Sequence, residues 1–395
     1  MIATGLDRLL SDPGSLRGRR YALLAHGAAV SASLEPAHLA LARVARPTLL
    51  LAPEHGYYGV EQDMIAARER LDPWTGVPIH SLYGDSLATL RPSPEVFSGI
   101  DLLLVDLQDV GARYYTYVAT AIWAAEVAAR SGCEVWFLDR PNPLGGEVVE
   151  GPWRSPGFES FVGAFELPVR HGLTPGEIAI REASHGGWRD ALRVVTVEGW
   201  HRRALWPEWG RPWIAPSPNM PSHATATLYP GLCLLEATEL SEGRGTTRPF
   251  HLVGGPGIEP CELAGAIGAL APPGLRAVPT YFRPQFQKHA GEVCGGVELV
   301  VTDAAAVRSF AFGVRLIALL ARRWPEPFAW RKDPYEFVID RPAIDLLVGS
   351  TRLRDILALE SGVDEALEGW IASFSADEAR FRELRQPWLL YPEQP

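Results

Sequence analysis

No run of 18 consecutive apolar residues occurs in the 395-residue chain, which excludes an ordinary transmembrane helix. The most apolar stretch, residues 116–131, carries Glu126 and Arg130 and reads as a packed helix. Basic charge is also scarce. The 37 Lys and Arg are outnumbered by 47 Asp and Glu, a net charge of -10, so there is no broad basic face for nucleic acid. A local cluster of Arg for an anionic small molecule remains compatible with that balance. There are four cysteines, Cys133, Cys233, Cys261 and Cys294, and no CxxC pair, so neither a zinc ribbon nor a thioredoxin site is expected. The first 20 residues lack the apolar core of a signal peptide, which predicts a cytoplasmic protein as the chain stands; an upstream start would allow export. HExxH, a His pair at metal-ligand spacing, GxSxG and a Walker A loop are all missing. No metal and no cofactor is therefore expected.

What remains is an ordinary globular composition, 47% hydrophobic and 21% charged, in a chain long enough to bury its own core. Thirteen Trp is high, and such rings fill cores and interfaces as readily as they pack on sugars. Over the first 145 residues one pattern repeats: a short Leu- and Val-rich run that ends in polar residues, often followed by helical spacing. The runs are YALLAHG (21–27), TLLLAPEHG (48–56), DLLLVDLQDVG (101–111) and EVWFLDRPNP (134–143), with helical spacing at 36–44 and 117–129. Continuous apolar strands separated by helices imply a parallel sheet covered on both faces, a Rossmann-like α/β unit. The first strand leads into AHGAAVSAS rather than GxGxxG, so the fold lacks the chemistry of dinucleotide binding.

Later segments are more mixed. Residues 192–197 read as a strand, and in RHGLTPGEIAIREA the series Thr174, Pro175, Glu177 is a capping box that opens a helix running to about Ser184. The proline-rich segment WIAPSPNMPSHATATLYPG (213–231) is expected to be irregular. Beyond residue 222, helices are expected at 262–270, 304–323, 364–373 and 377–384, and strands at 277–279 and 296–302. The fold class is thus α/β, with a Rossmann-like catalytic unit over residues 1–221 and a smaller α+β domain over 222–395.

In parallel sheets ligands bind at the carboxyl ends of the strands. Those ends carry His26, then Glu54 and His55, then Asp106, Gln108 and Asp109, then Asp139, Arg140 and Asn142. A carboxylate there can equally cap the next helix, but four strand-end acids converging on one edge point to a site. A further dense segment, LSEGRGTTRPF (240–250), sets Arg244 between Gly243 and Gly245, where the backbone could approach a ligand. Without a metal or a marked nucleophile, paired carboxylates are the remaining catalytic chemistry. Glycoside hydrolysis needs an acid at the leaving oxygen and a second group near the anomeric carbon. Glu54, beside Tyr57 and Tyr58, is the candidate acid; Glu242, Asp109 and Asp106 are candidates for the second role, and Asn219 for holding an acetamido group.

These residues lie in motifs that resemble the exo-β-N-acetylmuramidase (NamZ) family. PEHGYYG, DLQDVGARYYTY, LDRPNPLGG, FVGAFELPVRHGLTPGEIA, PSPNMPS, YPG with CLLEAT, and LSEGRGTTRPF occur in that family's order, and a weaker match continues to FRELRQPWLLY. The resemblance implies a Rossmann-like domain joined to a second domain with the site in the cleft between them. It also implies release of N-acetylmuramic acid from the non-reducing end of peptidoglycan fragments, with Glu54 as the catalytic acid. Neither metal nor nucleotide is implied, and the partner is a small sugar substrate rather than nucleic acid or membrane. Within the motifs, His55, Asp106, Arg113, Tyr114, Arg140, Asn142, His171, Asn219 and Arg244 are candidate substrate contacts. Arg113, Arg140, Arg170 and Arg244 are each suited to the lactyl carboxylate of the sugar. The chain departs from the family pattern at Tyr57 and Tyr58, at Glu239 and at residues 254–258. The alternatives are a hydrolase or transferase on another amino sugar, or an inactive carbohydrate-binding protein.

Overall fold

The structure, a computed structural model, describes residues 2–62, 65 and 70–394. After helix α1 (Gly5–Ser11), the main sheet takes strands β1 (Tyr21–Ala25), β2 (Leu49–Ala52), β3 (Arg70–Leu71), β4 (Pro78–Ser81), β5 (Leu102–Asp106) and β6 (Glu134–Leu138). An antiparallel ribbon, β7 (Glu150–Trp153) with β8 (Pro168–Arg170), interrupts the series before β9 (Leu192–Val195) rejoins it. The sheet order is β3-β4-β2-β1-β5-β6-β9, and every pairing is parallel except that of the edge strand β3. Every residue of β1 and β5 is buried, because helices cover both faces; this is why their sequences run apolar without alternation. Helices α2 (Ala37–Ala42), α3 (Tyr117–Arg130) and α4 (Pro175–Gly186) connect the strands. The capping box at α4 forms as its sequence implies, with Thr174 accepting from the Glu177 N–H and Glu177 reaching back.

The chain leaves β1 in one direction toward β2 and β4, and in the other toward β5 and β6. The crevice beside β1 and β5 is therefore the topological switch point, where parallel sheets bind ligands.

The second part opens with α5 (His223–Leu232) and builds an antiparallel sheet of β10 (Leu252–Gly255), β11 (Leu275–Phe282) and β12 (Cys294–Val301), in the order β10-β12-β11. Helices α6 (Pro260–Ala269), α7 (Ser309–Arg323), α8 (Ala343–Val348), α9 (Arg352–Leu357) and α10 (Val363–Leu384) complete it. Several expectations are corrected here. The proline-rich segment is irregular only as far as Ser222, whose hydroxyl then caps α5, and Pro230 falls within that helix near its end. The helix expected from residue 304 starts at Ser309, because Asp303 Oδ1 accepts from the N–H groups of Ala305 and Ala306 and makes a turn first. The two closing helices are one. Leu367, Phe374 and Phe381 recur every seven residues as a single buried stripe along α10, and no Gly or Pro lies between Ser373 and Asp377, where the break was expected.

One continuous apolar core joins both parts of the chain. The closing segment also crosses back onto the first part. The Leu390 N–H donates to Glu177 Oε1 at 2.9 Å, and the Tyr391 hydroxyl donates to Asp139. Among the described residues no helix is long and apolar enough to cross a membrane.

Candidate active site

A pocket opens at the carboxyl ends of β2 and β5, enclosing about 460 Å³ with its mouth included. The first part of the chain contributes Glu54, His55, Thr116, Tyr117, Ser217 and Asn219 to its lining. The second contributes Tyr229, Glu236, Arg244, Phe250, Tyr335 and Glu336. Tyr114 and Tyr115 add further ring surface, and no Trp lines it among the described residues. Tyr57, Tyr58, Glu239, Gly254 and Ile258, where the chain departs from the pattern, also stand outside the lining.

Glu54 lies just beyond β2 and is 5% exposed. The Thr116 hydroxyl donates to its Oε2 at 2.7 Å. Thr116 is the N-cap of α3, a position where a hydroxyl ordinarily accepts from the helix's own N–H groups. Here it makes no such bond and turns to Glu54 instead. His55 follows at φ 66°, a left-handed conformation costly for a side chain with a Cβ, and its Nδ1 lies 3.0 Å from the Glu61 carbonyl. Asn219 reaches the same loop, its Nδ2 donating to Gln62 Oε1 at 3.3 Å.

The second part's share of the lining is a chain of charges. Glu236, in the turn after α5, accepts from Arg244 Nη2 at 2.6 Å and from the Tyr335 hydroxyl at 2.7 Å. Arg244 lies over the Phe250 ring, and its Nε is 3.6 Å from Glu242. Behind it, Lys288 Nζ donates to Glu242 Oε2 at 2.7 Å and to the carbonyls of Leu235 and Leu240. Burial alone would raise Glu242, but Lys288 and Arg244 outweigh it and hold the carboxyl below its ordinary value. Gly243 and Gly245 approach protein rather than open space. A Cβ would stand 2.7 Å from the Arg248 carbonyl oxygen at Gly243 and 2.4 Å from that of Phe286 at Gly245. Their freedom at positive φ is used to pack this loop tightly.

The structure thus brings Glu54, His55, Tyr114, Asn219 and Arg244 together and sets the other candidates apart. Glu242 stands behind the wall, holding Arg244. Asp106 is gripped by Arg140, whose Nη2 donates to Oδ2 at 3.0 Å with both side chains buried. Asp109 accepts from the Gly111 N–H at 2.7 Å and lies 3.8 Å from His171. Burial pushes Asp109 up to about 7 against those N–H bonds, and burial, with Arg385 nearby, pulls His171 down to about 3. Asn142 Nδ2 donates to the Leu173 carbonyl and its Oδ1 accepts from the Leu144 N–H. Arg113 donates to four carbonyls, those of Pro152, Leu167, Leu347 and Val348, stitching the two parts together. Arg170 is buried and donates to Leu144. Of the four arginines considered for the lactyl group, Arg244 alone lines the pocket. Among the described residues, no group of three or more His, Cys, Asp or Glu could hold a metal.

With this geometry in place, the comparisons with known proteins decide the family. The family models described as exo-β-N-acetylmuramidase NamZ, N-terminal and C-terminal, match residues 21–224 and 227–391. The chain belongs to the NamZ family. It is 36% identical over 393 residues to the peptidoglycan β-N-acetylmuramidase NamZ of Bacillus subtilis strain 168, covering 99% of this chain and 91% of that one. Two solved structures of DUF1343 family proteins from Bacteroides fragilis NCTC 9343 share the fold. One has a TM-score of 0.86 at 29% identity and covers 99% of each chain; the other has a TM-score of 0.75 at 26% identity and covers 100% of each.

Sequence reasoning passed over Glu236, Glu336, Tyr335 and Thr116. Glu236 and Thr116 lie inside quoted motifs, CLLEAT and RYYTY, and their place in those motifs was the available signal. Tyr335 and Glu336 lie in no motif, and only the tertiary fold brings them to the pocket.

Proposed function

We propose that the chain hydrolyses the β-glycosidic bond of a terminal N-acetylmuramyl unit in peptidoglycan fragments, with the pocket between its two parts as the active site. The observation that carries this reading is Glu54, a buried carboxyl fixed by one hydroxyl in a pocket lining that also holds Glu236 and Glu336. Family membership supplies the substrate class. In this reading Glu54 protonates the leaving oxygen. Glu236, held by Arg244 and Tyr335, presents negative charge to the positive charge that develops at the anomeric carbon. Arg244 attracts the lactyl carboxylate, and Asn219 orients the acetamido group. Glu242 and Lys288 set the position of Arg244 from behind. The domain division at residue 221 fits a lining drawn from both sides of it.

The test is incubation with N-acetylmuramyl-β-1,4-N-acetylglucosamine, following both monosaccharides by mass spectrometry. Wild type releases both. Glu54→Gln loses on the order of 1,000-fold in kcat while still binding the disaccharide in a calorimeter. Near-normal turnover by that variant overturns the role of Glu54, and no release by folded wild type overturns the substrate.

A further inference from the structure

The turn at residues 335–338 is unusual. Tyr335 and Val338 exchange both backbone hydrogen bonds, at 3.0 and 2.9 Å, and the two central residues, Glu336 and Phe337, have φ of 46° and 66°. A tight turn with both central residues left-handed normally takes Asn or Gly there, which avoid the steric penalty. This one carries Glu and Phe. Phe337 packs 5.5 Å from the Tyr83 ring, which packs 6.0 Å from Phe161. The Tyr83 hydroxyl donates to Glu336 Oε2 at 3.2 Å, across 253 residues of sequence. The strained turn is thus pinned from behind by an aromatic cluster of the first part of the chain. What it presents to the pocket is Glu336, a carboxylate only 4% exposed.

Strain concentrated at a pocket wall points to a contact that the ordinary turn residues cannot make. The muramidase reading, on which this inference rests, says what the contact is. In a terminal N-acetylmuramyl unit, C1 is in the glycosidic bond, C2 carries the acetamido group and C3 the lactyl ether. Hydroxyls remain at C4 and C6. In an internal unit C4 is itself in a linkage, so a free C4 hydroxyl marks the chain end. A carboxylate only accepts, with about four lone-pair directions, and an O–H···O⁻ bond is among the stronger hydrogen bonds. Glu54 is assigned to the leaving oxygen and Glu236 to the anomeric carbon. We propose that Glu336 accepts the C4 hydroxyl of the terminal sugar and so restricts attack to the chain end.

The experiment compares kcat/KM on the disaccharide and on its 4-deoxy analogue. Wild type is expected to lose on the order of 30-fold on the analogue, the worth of a hydrogen bond to a charged group. Glu336→Asn tolerates the positive φ but is shorter and uncharged. It should lose a similar factor on the parent disaccharide and little more on the analogue, chiefly through KM. Glu336→Gln, which keeps the reach without the charge, should fall between. Equal turnover of the two substrates by wild type overturns the inference and needs no variant. A folded Glu336→Asn that still discriminates as wild type does also overturns it. Failure of wild type on the parent disaccharide overturns instead the muramidase reading beneath.

Discussion

Acids stand in two settings along one edge of the main sheet. Glu54, beyond β2, faces a pocket and is held by the Thr116 hydroxyl. Asp106, Asp109 and Asp139, at the ends of β5 and β6, are sealed behind it. Asp106 has Arg140, while Asp139 has Thr174, the Gly176 N–H and Tyr391, and Asp109 has the Gly111 N–H beside His171. The same topological rule brings all four acids to this edge, yet it does not say which one meets a ligand. The partners do. Among these four, a carboxylate supplied with its own guanidinium or buried donors holds the fold together, and the one left to a single hydroxyl at a pocket wall can serve a substrate.

The sharpest break of that comparison sets Glu54→Gln against Arg140→Ala. The first should cost on the order of 1,000-fold in kcat and leave the urea midpoint unchanged. The second strands Asp106 as an uncompensated buried charge and should cost about 3–5 kcal/mol of stability in urea denaturation. A large stability loss in the first variant would erase the distinction.

A smaller effect concerns pH. Asp109 is pushed up to about 7, so between pH 4 and pH 7 it holds a proton in the folded state that the unfolded chain has released. Its contribution to stability therefore falls as pH rises through that window. His26 and His171, both pulled down to about 3 by burial, act in the opposite sense, since the unfolded chain takes up protons there that the folded state does not. Asp109→Asn removes the falling slope. Its stability should climb more steeply than wild type from pH 4.5 to 6.5, by about 1.4 kcal/mol per pH unit. Parallel profiles in urea titrations across that range would show that Asp109 is not buried as a neutral acid.

The smallest effect is at Thr116. Thr116→Val should lower kcat/KM by about tenfold by freeing Glu54, and Thr116→Ser should restore it. The melting temperature should barely move, because α3 loses no cap bond. A fall in stability without loss of activity would make this residue an ordinary helix cap.

The sheet was legible in the sequence because burial on both faces leaves one signature, the continuous apolar run, and each of the four runs became a strand. The capping box of α4 was legible because its signal is local. What failed was punctuation. Proline density hid α5, which needed only Ser222 as its cap, and the break expected between Ser373 and Asp377 is one that α10 does not have. In the site, Glu54, Asn219 and Arg244 could be read from motifs, whereas Arg113, Arg140 and Asn142, in other motifs of the same series, bind backbone or buried acid. Type and spacing do not distinguish an arginine facing a ligand from one stitching carbonyls. Glu336 left no pattern at all, since its value comes from a turn that meets Tyr83 only in the folded chain.

The return of the closing segment onto the first part of the chain has a consequence for synthesis. A ribosome delivers β6 and α4 long before residues 390 and 391. Yet Asp139 and Glu177 each take a donor from that last stretch. A nascent first part therefore emerges with two buried acids still short of a partner, and its wiring is finished only once residues 390 and 391 have been made. The unit made first is completed last.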